Sequence, residues 1–151
     1  CAAKVPAGLG DPVYCKLEAQ LASAMLSIPA SKGFEIGNGF AAAKMKGSEH
    51  NDPFELDSKG NVYLKTNFAG GTLGGISTGA ELFFRVAFKP TSSIKKLQQT
   101  VSINKENATF QLPETARHDP CVAIRAVPIV EAMTALVLAD ALLLQRSAKV
   151  R

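Results

Sequence analysis

Apolar residues recur every three or four positions from Val13 through Leu17, Leu21 and Met25 to Ile28, with Lys16, Glu18, Gln20 and Ser23 off that stripe. The spacing predicts an amphipathic helix of about four turns. Asp11-Pro12 reads as its start, an acid at the N-cap and a proline at the first helical position, and Pro29 marks its end. A second pattern has period two. Leu82, Phe84, Val86 and Phe88 alternate with Phe83, Arg85, Ala87 and Lys89, which predicts a strand over 81–89 that Pro90 breaks. Phe34 and Ile36 ahead of Gly37 and Gly39 predict a short strand and turn. Val62, Leu64 and Thr66 predict another strand after a hairpin turn at 57–61, and weaker strands are expected at 101–103 and 109–112. From Gly47 to Gly79 the chain is polar and glycine-rich, a long irregular region that is either functional or held by other parts of the protein. The stretch from Val127 to Leu144 is almost continuously apolar and predicts a long helix over about 127–146. Its length approaches that of a membrane span. Glu131 and Asp140 interrupt it, however, and charge at membrane depth is costly, so it reads as a buried helix in a soluble core. Strands and helices do not alternate strictly, and the expected class is α+β.

At 151 residues the chain is expected to be a single domain. With 46% hydrophobic and 20% charged residues it has a globular composition, which excludes disordered, collagen-like and mucin-like classes. The net charge of +4 permits an anionic partner but does not argue for nucleic acid. Cys1, Cys15 and Cys121 are odd in number and lack metal-ligand spacing. They suggest a reduced, intracellular protein with no metal, and Cys121 is expected to be a packed thiol. The sequon at Asn107 is read as accidental. The chain opens on Cys1 with no signal-peptide pattern, so it is expected to start within something longer.

Several segments could carry chemistry. Gly37-Asn38-Gly39-Phe40-Ala41-Ala42 loosely fits a dinucleotide fingerprint, but no amphipathic helix follows, so a strand-end turn is preferred. Gly70-Gly71-Thr72-Leu73-Gly74-Gly75-Ile76-Ser77-Thr78-Gly79 is either a loop that lets a ligand approach the backbone or a flexible hairpin. Lys89-Pro90-Thr91-Ser92-Ser93 sets a cation and three hydroxyls at a strand end, which suits phosphate, although an ordinary proline turn would look the same. Arg117-His118-Asp119-Pro120-Cys121 brings together a guanidinium, an imidazole and a carboxylate, fit to clamp an anion and accept a proton, or merely a surface loop with a local ion pair. Arg125 either faces the same site or caps a sheet edge. Glu131 is expected to be a buried, satisfied polar group or an arginine partner. His50 is expected to be exposed in its polar loop.

In combination these segments say more. Gly74-Gly75-Ile76-Ser77, then Arg85-Val86-Ala87-Phe88-Lys89-Pro90-Thr91-Ser92-Ser93-Ile94, Arg117-His118-Asp119-Pro120-Cys121-Val122, Arg125-Ala126-Val127-Pro128 and Glu131-Ala132-Met133 resemble chorismate synthases. So do Leu26 to Gly37 and Gly47 to Asp52, in the same order, and the resemblance covers essentially the whole chain. It implies a β-α-β sandwich with long helices between antiparallel sheets, assembled as a homotetramer in the cytoplasm (or the plastid in a plant), without nucleic acid or membrane partners. It implies anti-1,4-elimination of phosphate from 5-enolpyruvylshikimate 3-phosphate to give chorismate, in the shikimate pathway to aromatic amino acids. It also implies reduced FMN as cofactor, with NADPH as the flavin reductant in some members. By resemblance, Lys89, Pro90, Thr91, Ser92 and Ser93 form a flavin-contacting turn, Gly74 approaches the flavin, and Pro29 and Ala30 add a further contact. Arg117 lies near flavin and substrate, and Asp119 takes part in proton transfer at flavin N5. Members of the family are more than twice this length. The part without a counterpart here carries two catalytic histidines, which neither His50 nor His118 matches, together with substrate-binding arginines. The chain is thus expected to be the C-terminal portion of such an enzyme, incomplete for catalysis. Two other readings are a non-catalytic flavin- or anion-binding module and an interaction protein built on the helices.

Overall fold

A computed structural model of the chain describes residues 1–148. The first helix, α1, spans Leu17–Leu26, and Leu17, Leu21 and Met25 on its inner face are wholly buried. Removing three such side chains from water stabilises the fold by roughly 1.5–3 kcal/mol each. The helix starts later than its apolar stripe. Val13 has φ +84° and is exposed, Lys16 occupies the N-cap position, and no side chain caps the helix. Asp11-Pro12 is therefore not the helix start. The free N–H of Leu17 donates instead to the carbonyl of Gly75 at 2.9 Å, so a distant backbone group does what a cap residue would have done.

Strand β1 (Ser31–Ile36) pairs antiparallel with β6 (Phe84–Phe88), with a bulge between Ser31 and Gly33. The alternation expected in β6 holds: Phe84, Val86 and Phe88 are half-buried while Arg85 and Ala87 face solvent. The strand is shorter than 81–89 because Leu82 makes an isolated bridge with Ala2 of the N-terminal arm. The region from 47 to 79 is less irregular than expected. It holds two hairpins, β2 (Phe54–Leu56) with β3 (Val62–Leu64), and β4 (Thr72–Leu73) with β5 (Ile76–Ser77). The Asp57 carboxylate accepts the backbone N–H groups of Lys59 and Asn61 and closes the first turn. Strands β7 (Gln98–Val101) and β8 (Asn107–Phe110) form a further hairpin, two to three residues ahead of the expected positions. Among the described residues no sheet has more than two strands.

Helix α2 spans Ala123–Ala148, four residues ahead of the expected start, and accommodates Pro128. Its expected burial is not met within this chain. Only Ala126, Thr134 and Ala141 are buried, while Ile124, Leu136 and Leu143 are 75%, 65% and 62% exposed. By length and composition this helix could cross a membrane. The core lies instead around α1, where Val5, Leu9, Leu17, Leu21, Leu82 and Ala141 cluster against Phe34, Phe84, Val137 and Leu138. The N-terminal arm is tied in by Ser77, whose backbone exchanges hydrogen bonds with Gly8 and Leu9 and whose hydroxyl donates to the Pro6 carbonyl. The class is α+β, as expected.

Candidate functional site

Strand pairing and one turn assemble the candidate site. Where α1 ends, Ser31 folds back by donating its N–H and hydroxyl to the Ile28 carbonyl. This puts Ala30 at φ +68°, in the left-handed region. The Ala30 carbonyl then accepts the N–H of Lys89 at 2.9 Å, extending the β1–β6 pairing by one step. Pro29-Ala30 therefore lies beside the start of the Lys89–Ser93 turn. At the other side of that turn, the Thr91 hydroxyl donates to the carbonyl of Asp119 at 3.0 Å. Three segments far apart in sequence meet here: 29–30, 89–93 and 117–121. Lys89, Pro90, Ser92 and Arg117 present themselves on this surface, with Lys89, Ser92 and Arg117 among the exposed residues. Among the described residues neither Lys89 nor Arg117 is held by an ion pair, so both cations are available to an anion.

The Asp119 carboxylate does not pair with Arg117, its sequence neighbour. Its Oδ2 lies 3.0 Å from Nε of Arg125, in the first turn of α2. Of the two roles open to Arg125, the structure thus assigns it to this surface. Cys121 is exposed rather than packed, because the loop before α2 runs over the surface. Glu131 is also exposed rather than buried; it lines a cleft of about 570 Å³ between the Phe84, Val86 and Phe88 face of β6 and the N-terminal half of α2.

Gly74 is not part of this cluster. Gly74 and Gly75, at φ +61° and +93°, make the two-residue turn of the β4–β5 hairpin, the backbone geometry of a type I′ turn. Gly75 caps the start of α1, whereas Ala30 lies beyond its end, so the two places are about one ten-residue helix, ~15 Å, apart. The alternative left open for the glycine-rich run resolves by residue. Gly70 backs onto Gly37 so closely that any Cβ would meet backbone, whereas nothing lies within 4 Å of the place a Gly74 Cβ would take. Most of this run packs, and Gly74 alone leaves room for a visitor. The dinucleotide fingerprint fails for a related reason. Only a six-residue 3-10 helix, Gly39–Lys44, follows the strand, and the Glu35 carboxylate already accepts the N–H of Phe40 at its start.

Two features escaped the sequence reading. Asp52, in a stretch read as polar loop, is buried; its carboxylate accepts from the Thr66 hydroxyl and the N–H groups of Phe68 and Ala69 at 2.7–2.8 Å. Burial alone would push its carboxyl up, but these hydrogen bonds and the charge of His50 outweigh that and hold it below the usual carboxylate range. His50 is half-buried against Phe68 (ring centroids 5.8 Å apart), not exposed as expected.

The geometry defines an α+β protein with a cationic, hydroxyl-bearing turn set against an acid-bearing loop. The sequence profile described as chorismate synthase matches residues 1–143. The chain is 61% identical over 142 residues to the chorismate synthase of Protochlamydia amoebophila, covering 94% of this chain and 38% of that one. It is 62% identical over 136 residues to that of Opitutus terrae, covering 90% and 37%. A crystal structure of chorismate synthase superposes with a TM-score of 0.68 at 35% identity, over 95% of this chain and 35% of that one. The chain belongs to the chorismate synthase family, and it spans about two fifths of the length of the relatives it matches.

Proposed function

We propose that the whole protein carrying this chain is a chorismate synthase, a lyase that eliminates phosphate from 5-enolpyruvylshikimate 3-phosphate to yield chorismate. In that reaction a ring C–H bond and the ring C–O bond to phosphate break, a second ring double bond forms, and no net redox change results. The observation that carries the reading is the meeting of 29–30, 89–93 and 117–121 through the Lys89–Ala30 and Thr91–Asp119 hydrogen bonds.

The donor set fits a flavin mononucleotide. Lys89 offers a point charge, Ser92 and Ser93 offer hydroxyls, and among the described residues none of the three side chains is engaged in an ion pair or hydrogen bond. The turn at Pro29-Ala30 would bound the ring on one side, and Gly74 leaves space for a further contact. Reduced FMN, when bound, lends electron density transiently while phosphate leaves. Arg117 holds the anionic groups of flavin and substrate by charge-assisted hydrogen bonds. Asp119 holds or moves a proton at flavin N5. Lys89 and Arg117 together offset the negative charge that gathers as phosphate departs.

The remaining parts of the proposal concern the whole protein. The apolar outer face of α2 supports an interior position within a larger homotetrameric assembly rather than a membrane span, since Glu131 and Asp140 lie within it. The protein is taken to be cytoplasmic, with NADPH as reductant where the family member reduces its own flavin. For the chain alone, the short coverage favours a second reading: a flavin- or anion-binding module without turnover.

Titrating FMN into this chain and following flavin fluorescence tests the first step. Saturable quenching that is lost in Lys89→Ala and Arg117→Ala is the expected outcome; no quenching would mean that this part cannot hold flavin by itself. In the full-length protein, Asp119→Asn should lower turnover by orders of magnitude, to a small residual rate, while flavin binding persists. Retained turnover would overturn the role of Asp119.

A further inference from the structure

We propose that Arg125 is a positioning residue that holds the Asp119 carboxylate in its working orientation, an inference that rests on the reading of Asp119 given above. Asp119 sits on an irregular loop with no strand or helix of its own between Phe110 and Ala123. Its backbone is fixed from one side, where Thr91 donates to its carbonyl. That contact leaves the side-chain torsions free, and a carboxylate that must meet one atom of a ring gains from having them restricted. Arg125 supplies the restriction. Its Nε lies 3.0 Å from Oδ2 of Asp119. Its own backbone is anchored in the first turn of α2, where the N–H groups of Arg125 and Ala126 both donate to the Val122 carbonyl and Ala126 is buried. The rigid partner is thus the helix, and the adjustable partner is the loop.

The pair is not there for stability. The two side chains are 78% and 38% exposed, and ion pairs so open to solvent contribute little to folding. Arg117, by contrast, makes no ion pair with Asp119, which divides the labour: Arg117 is left for the ligand under the function proposed above, and Arg125 pairs with the acid.

The test is a double-mutant cycle in the full-length protein, with turnover of 5-enolpyruvylshikimate 3-phosphate and FMN fluorescence as readouts. Arg125→Ala should lower kcat about 3- to 5-fold, the most that an ion pair so open to solvent can hold in one orientation, with KM and flavin affinity unchanged. Arg125→Lys should recover part of the loss. In an Asp119→Asn background, Arg125→Ala should cost nothing further, because its effect passes through the carboxylate. Multiplying losses, or an unchanged kcat in Arg125→Ala beside a strongly impaired Asp119→Asn, would overturn the inference while leaving Asp119 in its role. Full activity in Asp119→Asn would instead overturn the underlying reading. A measurement without turnover is the mobility of the Arg125 side chain in the full-length protein, read from its 15Nε–1H signal. It should be low in the natural sequence and high in Asp119→Asn; equal mobility in both would overturn the pairing in solution.

Discussion

The two helices both carry apolar residues that call for cover, α2 more continuously than α1, and they end in opposite situations. All three inward residues of α1, Leu17, Leu21 and Met25, are sealed from solvent, the first two within a cluster of Val5 and Leu9 of the N-terminal arm, Leu82 and Ala141 of α2. The longer α2 fully buries only three small or polar residues, Ala126, Thr134 and Ala141, and leaves Ile124, Ile129, Leu136, Leu143 and Leu144 outside. The β7–β8 hairpin behaves like α2, with Val101 and Phe110 exposed and Ile103 in its loop almost entirely so. Around α1 the apolar face is closed by residues of the chain itself, although Oε2 of Glu18 is buried there without a hydrogen-bond partner. The outer face of α2 is satisfied by nothing among the described residues. Periodicity announces that a face will be covered; it does not say whether the cover belongs to the same stretch of sequence.

The sharpest way to break this contrast is to truncate one leucine on each side. Leu21→Ala should destabilise the chain by about 2–5 kcal/mol, since it opens a cavity in a closed core. Leu143→Ala, on the open face of α2, should change stability by no more than about 0.5 kcal/mol. Denaturant unfolding of the two variants measures both, and equal losses would show that α2 is covered in solution.

Asp52→Ala comes next. It strands two backbone N–H groups and a hydroxyl in a closed region, and a loss of about 2–4 kcal/mol is expected from that. Because the folded state holds this carboxyl below its ordinary value of 3.8, its contribution is complete above that pH and is lost as pH falls through the folded value. The acid limb of a stability–pH curve should therefore flatten in Asp52→Asn. An unchanged limb would remove Asp52 from the account.

A smaller effect separates two glycines of one loop. Both have positive φ, but Gly70→Ala also meets the backbone of Gly37, whereas Gly74→Ala meets open space. Gly74→Ala should cost about 1–2 kcal/mol from conformation alone, and Gly70→Ala distinctly more, as thermal melts would show. The least effect is expected at the Lys65–Glu55 pair across the β2–β3 hairpin. The hydrogen bond from Lys65 holds the Glu55 carboxyl below its usual range, with Tyr63 adding to it. Lys65→Met should raise the Glu55 titration midpoint by NMR without a measurable change in melting temperature. A clear fall in melting temperature would show that the hairpin is more tightly integrated than its exposure implies.

Much of the architecture was legible in the residues, and the physical reason is local. Period-two alternation at 82–89 and the 3.6-residue stripe through Leu17, Leu21 and Met25 are imposed by backbone geometry, so both elements appear where the pattern runs. The ordered segments from Leu26 to Met133 were enough to identify the family. What sequence could not carry was any relation set by distant backbone. Asp11-Pro12 has the makings of a helix cap, yet the Gly75 carbonyl replaces it and the chain before Leu17 turns away. Asp52 looks like loop polarity until Thr66, Phe68 and Ala69 fold over it. Arg117 stands two residues from Asp119, but Arg125 reaches it, because the first turn of α2 points back across the loop. Side-chain spacing, which depends on a few neighbouring dihedrals, the sequence determined by itself. Which carboxylate meets which guanidinium, which glycine packs and which stays open, and which apolar face is sealed depend on contacts closed over long stretches of chain, and only the tertiary structure decided those.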